Sequence, residues 1–524
     1  MSPRRRRLAA ACSRAAPCGP AAARAFGLGL ALGLALGATR IAALEPAGTP
    51  APAPAPETAS PVLPPGHWAL AALERLGALG LLGGGYDPGA GSVTREEAAC
   101  RLASAADAAR LAGREDLARL VAGYRARFQE EFPADSARGA GLRLLPGNME
   151  GGYDGSRGGL LAGYDRDALH VAPAAVAARQ APFGTGEVAV ALGSRVVLDV
   201  SPRAETGTPA LDAVYAELAL GAARLWAGRR PLGFGAAAGG SSVLTAGVVF
   251  DGLGAFTGPF RLPGVLGGIG PVRVEAFATR LRATGGVADP WFTALRIWAQ
   301  PHPRLWIAAN RAVAFGGRGN SPVTLVELPG ILIGAPGGHH GETENQVASL
   351  EARWRVPAGS LPLVAYGEWA IDDVGFEFIR KPGLVGGLEL PALPGVPAVA
   401  LGLEHTRFPD HCCGYPPWYR HSALPWIEER VPLGHPLGGA GTQWLLYSRA
   451  SLLDARLRLE ARALRRNRLA DNLYSPTRQG ASTGAEVTAS WTPTAAVELM
   501  AAASIEQGPG WRESASTAGV RVRY

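Results

Sequence analysis

Between Ser451 and Asn467 the chain reads SLLDARLRLEARALRRN, and its polarity switches at almost every residue. Leu453, Ala455, Leu457, Leu459, Ala461 and Ala463 alternate with Asp454, Arg456, Arg458, Glu460 and Arg462. Successive side chains of a strand point to opposite faces, so this spacing predicts one apolar wall and one charged wall. Ser349–Val356 repeats the pattern, with Leu350, Ala352, Trp354 and Val356 opposed to Glu351, Arg353 and Arg355. Ala485–Thr492 and Ala518–Tyr524 carry it to the last residue. Many such segments of about ten residues, separated by Gly/Pro/Asp turns, are the sequence form of a transmembrane β-barrel. At about 20 residues per strand and connection, residues 147–524 hold roughly 16–20 strands.

The rest of this region fits that reading. Eleven of the twelve tryptophans lie in it, and Trp226, Trp291, Trp298, Trp306, Trp354, Trp369 and Trp491 are expected in the aromatic girdles at the membrane interfaces. Val248–Gly270, Gly316–Glu344, Phe376–Pro397 and Arg407–Gly441 read as loops or lumen folds. A periplasmic propeller or sandwich is the alternative, but no blade repeat of about 40–50 residues appears.

Upstream, the periodicity changes. Trp68, Ala72, Leu76 and Leu79 recur at helical spacing until Gly83-Gly84-Gly85, and Thr94 to Glu97 forms a capping box opening a second helix, Arg95–Ala109. In Arg114–Phe132, Leu117, Leu120, Val121, Tyr124 and Phe128 share one helical face. Residues 44–63 are a Pro/Ala-rich linker. MSPRRRR, the apolar Ala25–Ala38 and small residues near Ala43 read as a cleavable secretory signal. The expected order is therefore signal 1–43, linker 44–63, helical unit 64–109, periplasmic helix and connector 110–146, and barrel 147–524.

Charge narrows the partners. The chain has 51 basic and 44 acidic residues, and the signal holds seven arginines and no acid. Without it the charge is balanced, so the basic footprint of a nucleic-acid binder is missing. Cys12 and Cys18 leave with the signal, and Cys100, Cys412 and Cys413 give no disulfide framework. Cys12 has no apolar run before it, so no lipid anchor is expected there.

Two resemblances follow from these motifs. Gly66-His67-Trp68-Ala69, Leu79-Gly80-Leu81-Leu82, Tyr86-Asp87-Pro88 and Val93-Thr94-Arg95-Glu96-Glu97 resemble one S-layer-homology repeat. That resemblance implies grip on peptidoglycan or a wall polymer through Trp68, Thr94, Arg95 and Glu96; a helical plug is the alternative. Within the barrel, Arg229–Gly235 with Ser242–Thr245, Tyr366–Asp373, and Pro432–Gly439 after Tyr419-Arg420-His421 resemble the Wzi-type capsule assembly proteins, as does Glu404-His405-Thr406. The family implies an all-β transmembrane barrel of about 18 antiparallel strands in the outer membrane, here with a small N-terminal α-helical periplasmic domain. It also implies capsular or extracellular polysaccharide as partner, and no catalysis.

Glycan recognition needs ring faces for stacking and directional polar groups for the hydroxyls. Gly414–Glu429 supplies Tyr415, Trp418, Tyr419 and Trp426 beside Arg420, His421, Glu428 and Glu429. Trp418, Tyr419, Arg420, Trp426, Asp372, Asp373, Glu404 and His435 are the candidate glycan contacts, with an inward-folded loop as the alternative. His339-His340-Gly341-Glu342 and His405 to Cys413 contain metal-ligand residue types without metal-site spacing, so no metal or cofactor is expected. No H-E-x-x-H occurs, and no local motif assembles a hydrolytic site. The competing function is a peptidoglycan-tethered porin.

Overall fold

The computed structural model describes residues 58–524 apart from 134–140, 158–179, 206–207, 246, 283–286, 321–322, 325, 328–343, 360, 373–380, 411–417, 422–423, 429–430 and 476–477. The expected signal, most of the expected linker, Asp373, His339-His340 and Cys412-Cys413 lie outside the described residues.

Eighteen strands form the barrel. They are β1 (Leu142–Arg157), β2 (Gln180–Leu192), β3 (Val196–Glu205), β4 (Thr208–Leu220), β5 (Ala223–Leu232), β6 (Val248–Thr257), β7 (Pro271–Arg280), β8 (Trp291–His302) and β9 (Leu305–Phe315). There follow β10 (Glu344–Ala358), β11 (Leu361–Asp372), β12 (Gly383–Leu390), β13 (Val399–Phe408), β14 (Gly441–Leu452), β15 (Leu457–Arg468), β16 (Gly480–Thr494), β17 (Val497–Gly508) and β18 (Trp511–Arg523). Each pairs antiparallel with the next in sequence. β18 returns to β1, with Asn148 opposite Arg523 and Arg157 opposite Ser514. Closure leaves no sheet edge and satisfies the backbone within the wall, which a membrane-spanning sheet requires.

Alternation sets the two faces. In β15, Leu459, Ala461 and Ala463 are exposed outside while Arg462, Leu464 and Arg466 turn inward. In β10, Leu350 and Trp354 face out, and Ser349 and Arg353 are buried in the lumen. The predicted alternation starts too early, however. Leu453, Asp454 and Ala455 have φ of 52°, 54° and 66° and make the turn before β15. Trp291, Trp354 and Trp491 stand on the outer wall, joined by Trp444. Trp226, Trp298 and Trp306 do not: they are buried, on the inward positions of β5, β8 and β9.

Two predicted loops contain strands, β6 and β12. Their inward positions are partly glycine, which erases the polar half of the pattern. A Cβ at Gly387 would overlap the Tyr366 ring, and one at Gly254 would sit 2.7 Å from the Trp226 indole nitrogen. Large rings opposite demand no side chain there.

Short turns, including 193–195, 221–222, 303–304 and 495–496, gather with both ends of the barrel chain at one rim. At the other rim consecutive strands are separated by longer stretches of sequence, 158–179, 233–247, 316–343 and 409–440. Outer-membrane barrels place short turns in the periplasm and long loops outside. The helices pack at the short-turn rim: α1 (Trp68–Ala78), α2 (Arg95–Leu111) and α3 (Glu115–Glu131). α1 ends before the predicted glycine triplet. Gly80 at φ 79° stops it, and the amides of Gly80 and Leu81 donate back to Gly77 and Leu76. Thr94 caps α2 by accepting from the Glu97 amide at 3.1 Å. The expected return contact is absent, because the Glu97 carboxylate binds Arg101 and Arg273 instead.

Candidate functional site: a sealed lumen and its rim

The helical unit is fixed to the barrel by buried ion pairs. Asp87 accepts two bonds from Arg296 of β8, at 2.7 and 2.8 Å. Glu97 bridges Arg101 to Arg273 of β7, and Glu74 bridges Arg353 of β10 to Arg449 of β14. Arg127 reaches Glu498, and Glu131 meets Arg523 at 3.2 Å. Burial alone would raise the Glu97 carboxyl, but Arg273 and Arg101 overcome it and hold the group below its usual range. Burial works likewise on Glu131. There the His67 ring nitrogen, the Arg523 guanidinium and the Trp68 indole N–H prevail, and the carboxyl stays well below its usual range. Burial pushes the His67 imidazole below its ordinary value although Glu131 opposes it. In the neutral ring Nδ1 accepts from the Ala69 amide, which assigns the proton to Nε2, donated to Glu131 at 3.2 Å.

From this stopper a column of chain runs up the barrel axis. Gly235 donates to the Gly89 carbonyl at 3.1 Å, joining the helical unit to the 233–247 segment. The approach leaves no room for side chains: a Cβ on Gly89 would lie 2.8 Å from the Gly235 carbonyl carbon. Two wall carboxylates grip the segment's amides. Glu404 of β13 accepts from Ala238 and Gly239 at 2.8 and 3.1 Å, and Glu368 of β11 accepts from the Ser242 amide and hydroxyl, each at 3.0 Å. A cavity of about 20 Å³ beside them, bounded by Pro88, Ala236, Ala237, Glu351, Tyr366 and Glu368, has room for a water and not for a solute.

The extracellular connection 409–440 closes the column. Tyr419 donates its hydroxyl to the Ser242 carbonyl at 2.6 Å, Trp426 its indole N–H to Val243 at 2.9 Å, and Thr245 its amide to Leu433 at 2.6 Å. Phe292 meets Trp426 edge-on and Phe408 packs on Trp418. Burial, aided by Arg466, pushes the His435 imidazole down to about 3. It is neutral, with Nδ1 accepting from Leu437 and Nε2 facing the Thr406 hydroxyl. The glycines of the Gly-His-Pro-Leu-Gly-Gly run serve the seal: Gly438 and Gly439 have φ of 83° and 92° against Tyr474 and Trp418.

These placements correct several expected contacts. Trp418, Tyr419, Trp426, Glu404 and His435 are all buried, so they present no open face to a sugar. Arg420 is exposed and donates to the Ala470 carbonyl at 3.3 Å. Asp372 is half-buried at the rim and accepts from the Tyr419 amide at 2.7 Å. Trp68, Thr94 and Arg95, expected on a wall polymer, are buried as well. Trp68 lies under Arg127 and donates to Glu131 at 2.7 Å, while Arg95 pairs with Glu187 and stacks on Phe132. Half-buried Glu96 accepts from Thr58. The repeat-like residues thus dock the stopper. Sequence reasoning missed Asp87, Glu368 and the Gly89–Gly235 crossing, whose partners lie far away along the chain.

Gly480-Ala481-Ser482-Thr483-Gly484 spells the G-x-S-x-G of a nucleophile elbow, but it is continuous strand in β16. Ser482 donates to Glu506 at 2.6 Å, with no strand-to-helix turn to expose it. Among the described residues no group of three or more His, Cys, Asp or Glu could hold a metal ion.

Fold and lumen together define an outer-membrane β-barrel closed by its own chain. The capsule assembly protein Wzi family model matches residues 163–510, and this chain belongs to that family. Among solved structures it is similar to Escherichia coli Wzi, described as an outer-membrane protein involved in group 1 capsule assembly and a carbohydrate-binding β-barrel. The TM-score is 0.68 at 16% identity, covering 88% of this chain and 99% of that one. Pseudomonas aeruginosa OpdO matches at TM-score 0.46 and 11% identity, over 73% and 97% of the two chains. A search of curated protein sequences finds no match.

Proposed function

We propose that this barrel holds capsular or extracellular polysaccharide at the cell surface, engaging it at the extracellular rim, without catalysis. The observation that carries the reading is the hydrogen-bonded column of chain from Gly89 to Trp426 inside the lumen, which supports a surface for binding rather than a route for solutes. Family membership and the carbohydrate binding of the E. coli relative support it. The same column weighs against the porin. In this reading the helical unit is a stopper, and Arg420 and Asp372 are the rim groups offered to the sugar. Arg420 brings a guanidinium that suits acidic sugar carboxylates, and Asp372 an acceptor for hydroxyls.

The test is complementation of a deletion strain, with cell-bound and shed polysaccharide measured separately. Arg420→Ala with Asp372→Asn should shift several-fold more polysaccharide into the medium while the barrel keeps its heat-modifiable gel mobility. Unchanged retention removes these contacts. A deletion strain that retains all its polysaccharide removes the function.

A further inference from the structure

The outer wall of β13–β15 changes character in one order toward the extracellular rim. On β13, exposed Leu401 and Leu403 give way to His405 and Arg407; on β14, Leu446 gives way to Trp444 and Thr442. On β15, Leu459, Ala461 and Ala463 give way to Arg465 and Asn467. The register sets His405 opposite Trp444 and Trp444 opposite Arg465, with Arg407, Thr442 and Asn467 aligned one step nearer the loops. His405 lies on Trp444 with ring centroids 4.2 Å apart, which steadies an indole that is 50% exposed. Arg407 and Arg465 are exposed, and neither forms an ion pair among the described residues. At this end the flanking strands β12 and β16 show Leu384, Gly386, Ala481 and Thr483 outside, with no carboxylate. Of the acids nearest in sequence, Glu404 and Glu460 lie on the inward positions of β13 and β15, and Asp410 and Asp471 are on the loops beyond the strand ends.

A lipid-facing tryptophan marks headgroup depth. A guanidinium on the outer wall is costly at the bilayer midplane but tolerated at this depth, where it meets the anionic groups of the headgroups. Arginine matches the oxygens of a phosphate with paired N–H donors. We propose that Arg407 and Arg465, flanking Trp444, bind a phosphate of an outer-leaflet glycolipid, whose sugar ring lies on the indole. The site faces sideways from the barrel and continues into the apolar belt of Leu403, Leu446 and Leu459, which places its ligand in the leaflet rather than over the mouth.

Purified full-length protein would be equilibrated with micelles of bisphosphorylated lipid A or of the same lipid after phosphatase treatment, and bound lipid counted by native mass spectrometry. The phosphorylated lipid should be retained preferentially. Arg407→Gln/Arg465→Gln should cut that retention about tenfold, with Lys at both positions restoring much of it and heat-modifiable mobility unchanged. Equal retention of the two lipids, or full retention by the Gln variant, overturns the site. So does a Gln variant that loses polysaccharide but keeps the lipid.

Discussion

Asp87→Ala should weaken docking of the helical unit by about 3–5 kcal/mol, because it strips a buried guanidinium of its bidentate partner. Arg296 and Asp87 are both almost wholly buried, and among the described residues Glu351 and Asn310 would remain as the hydrogen-bond partners of Arg296. Limited proteolysis should then cut within residues 58–133 while the strands still run as a folded, heat-modifiable barrel. Resistance equal to the wild type would mean that the pair does not hold the stopper. Falling pH should act in the same direction. Glu97 and Glu131 sit below an ordinary 4.5, and His67 below an ordinary 6.5. All three bind protons more readily when undocked, so docking is strongest above pH 6.5 and weakens as protons become available to the undocked form. His67 acts first, just below 6.5, and the carboxylates follow below 4.5. Protease sensitivity of the helical unit that falls on acidification would contradict this.

Trp426→Ala should open the other end. The indole is fully buried, and its loss costs about 3–5 kcal/mol for a large core aromatic. The Val243 carbonyl would lose its donor and Phe292 its edge-on neighbour. Bursts of conductance in planar bilayers, and entry of bulky hydrophilic antibiotics into cells, are the expected results. Tyr419→Phe removes the hydroxyl that donates to Ser242 and accepts from the His435 amide, about 1–3 kcal/mol, and should leak less. A silent Trp426→Ala protein of undiminished stability would assign the seal elsewhere.

The barrel was legible wherever both faces of a strand carry side chains, as in β10 and β15. It was illegible in β6 and β12, where inward glycines make way for Trp226 and Tyr366. The site was harder to read for a different reason. An aromatic, proline-rich loop has the same composition whether it meets a sugar or folds inward. The bonds that decide the matter, from Tyr419 to Ser242 and Trp426 to Val243, span 177 and 183 residues. The same holds for the repeat-like turn, where Asp87 finds Arg296 across 209 residues. Local pattern fixes which residues are aromatic or charged; tertiary contact decides which way they face.

Conductance of the unmodified full-length protein in a planar bilayer tests the sealed column most directly. Insertion without steady current steps, alongside a porin control that conducts, is the expected result. Long-lived open steps of nanosiemens size would show a continuous aqueous path through the lumen and contradict the holding role.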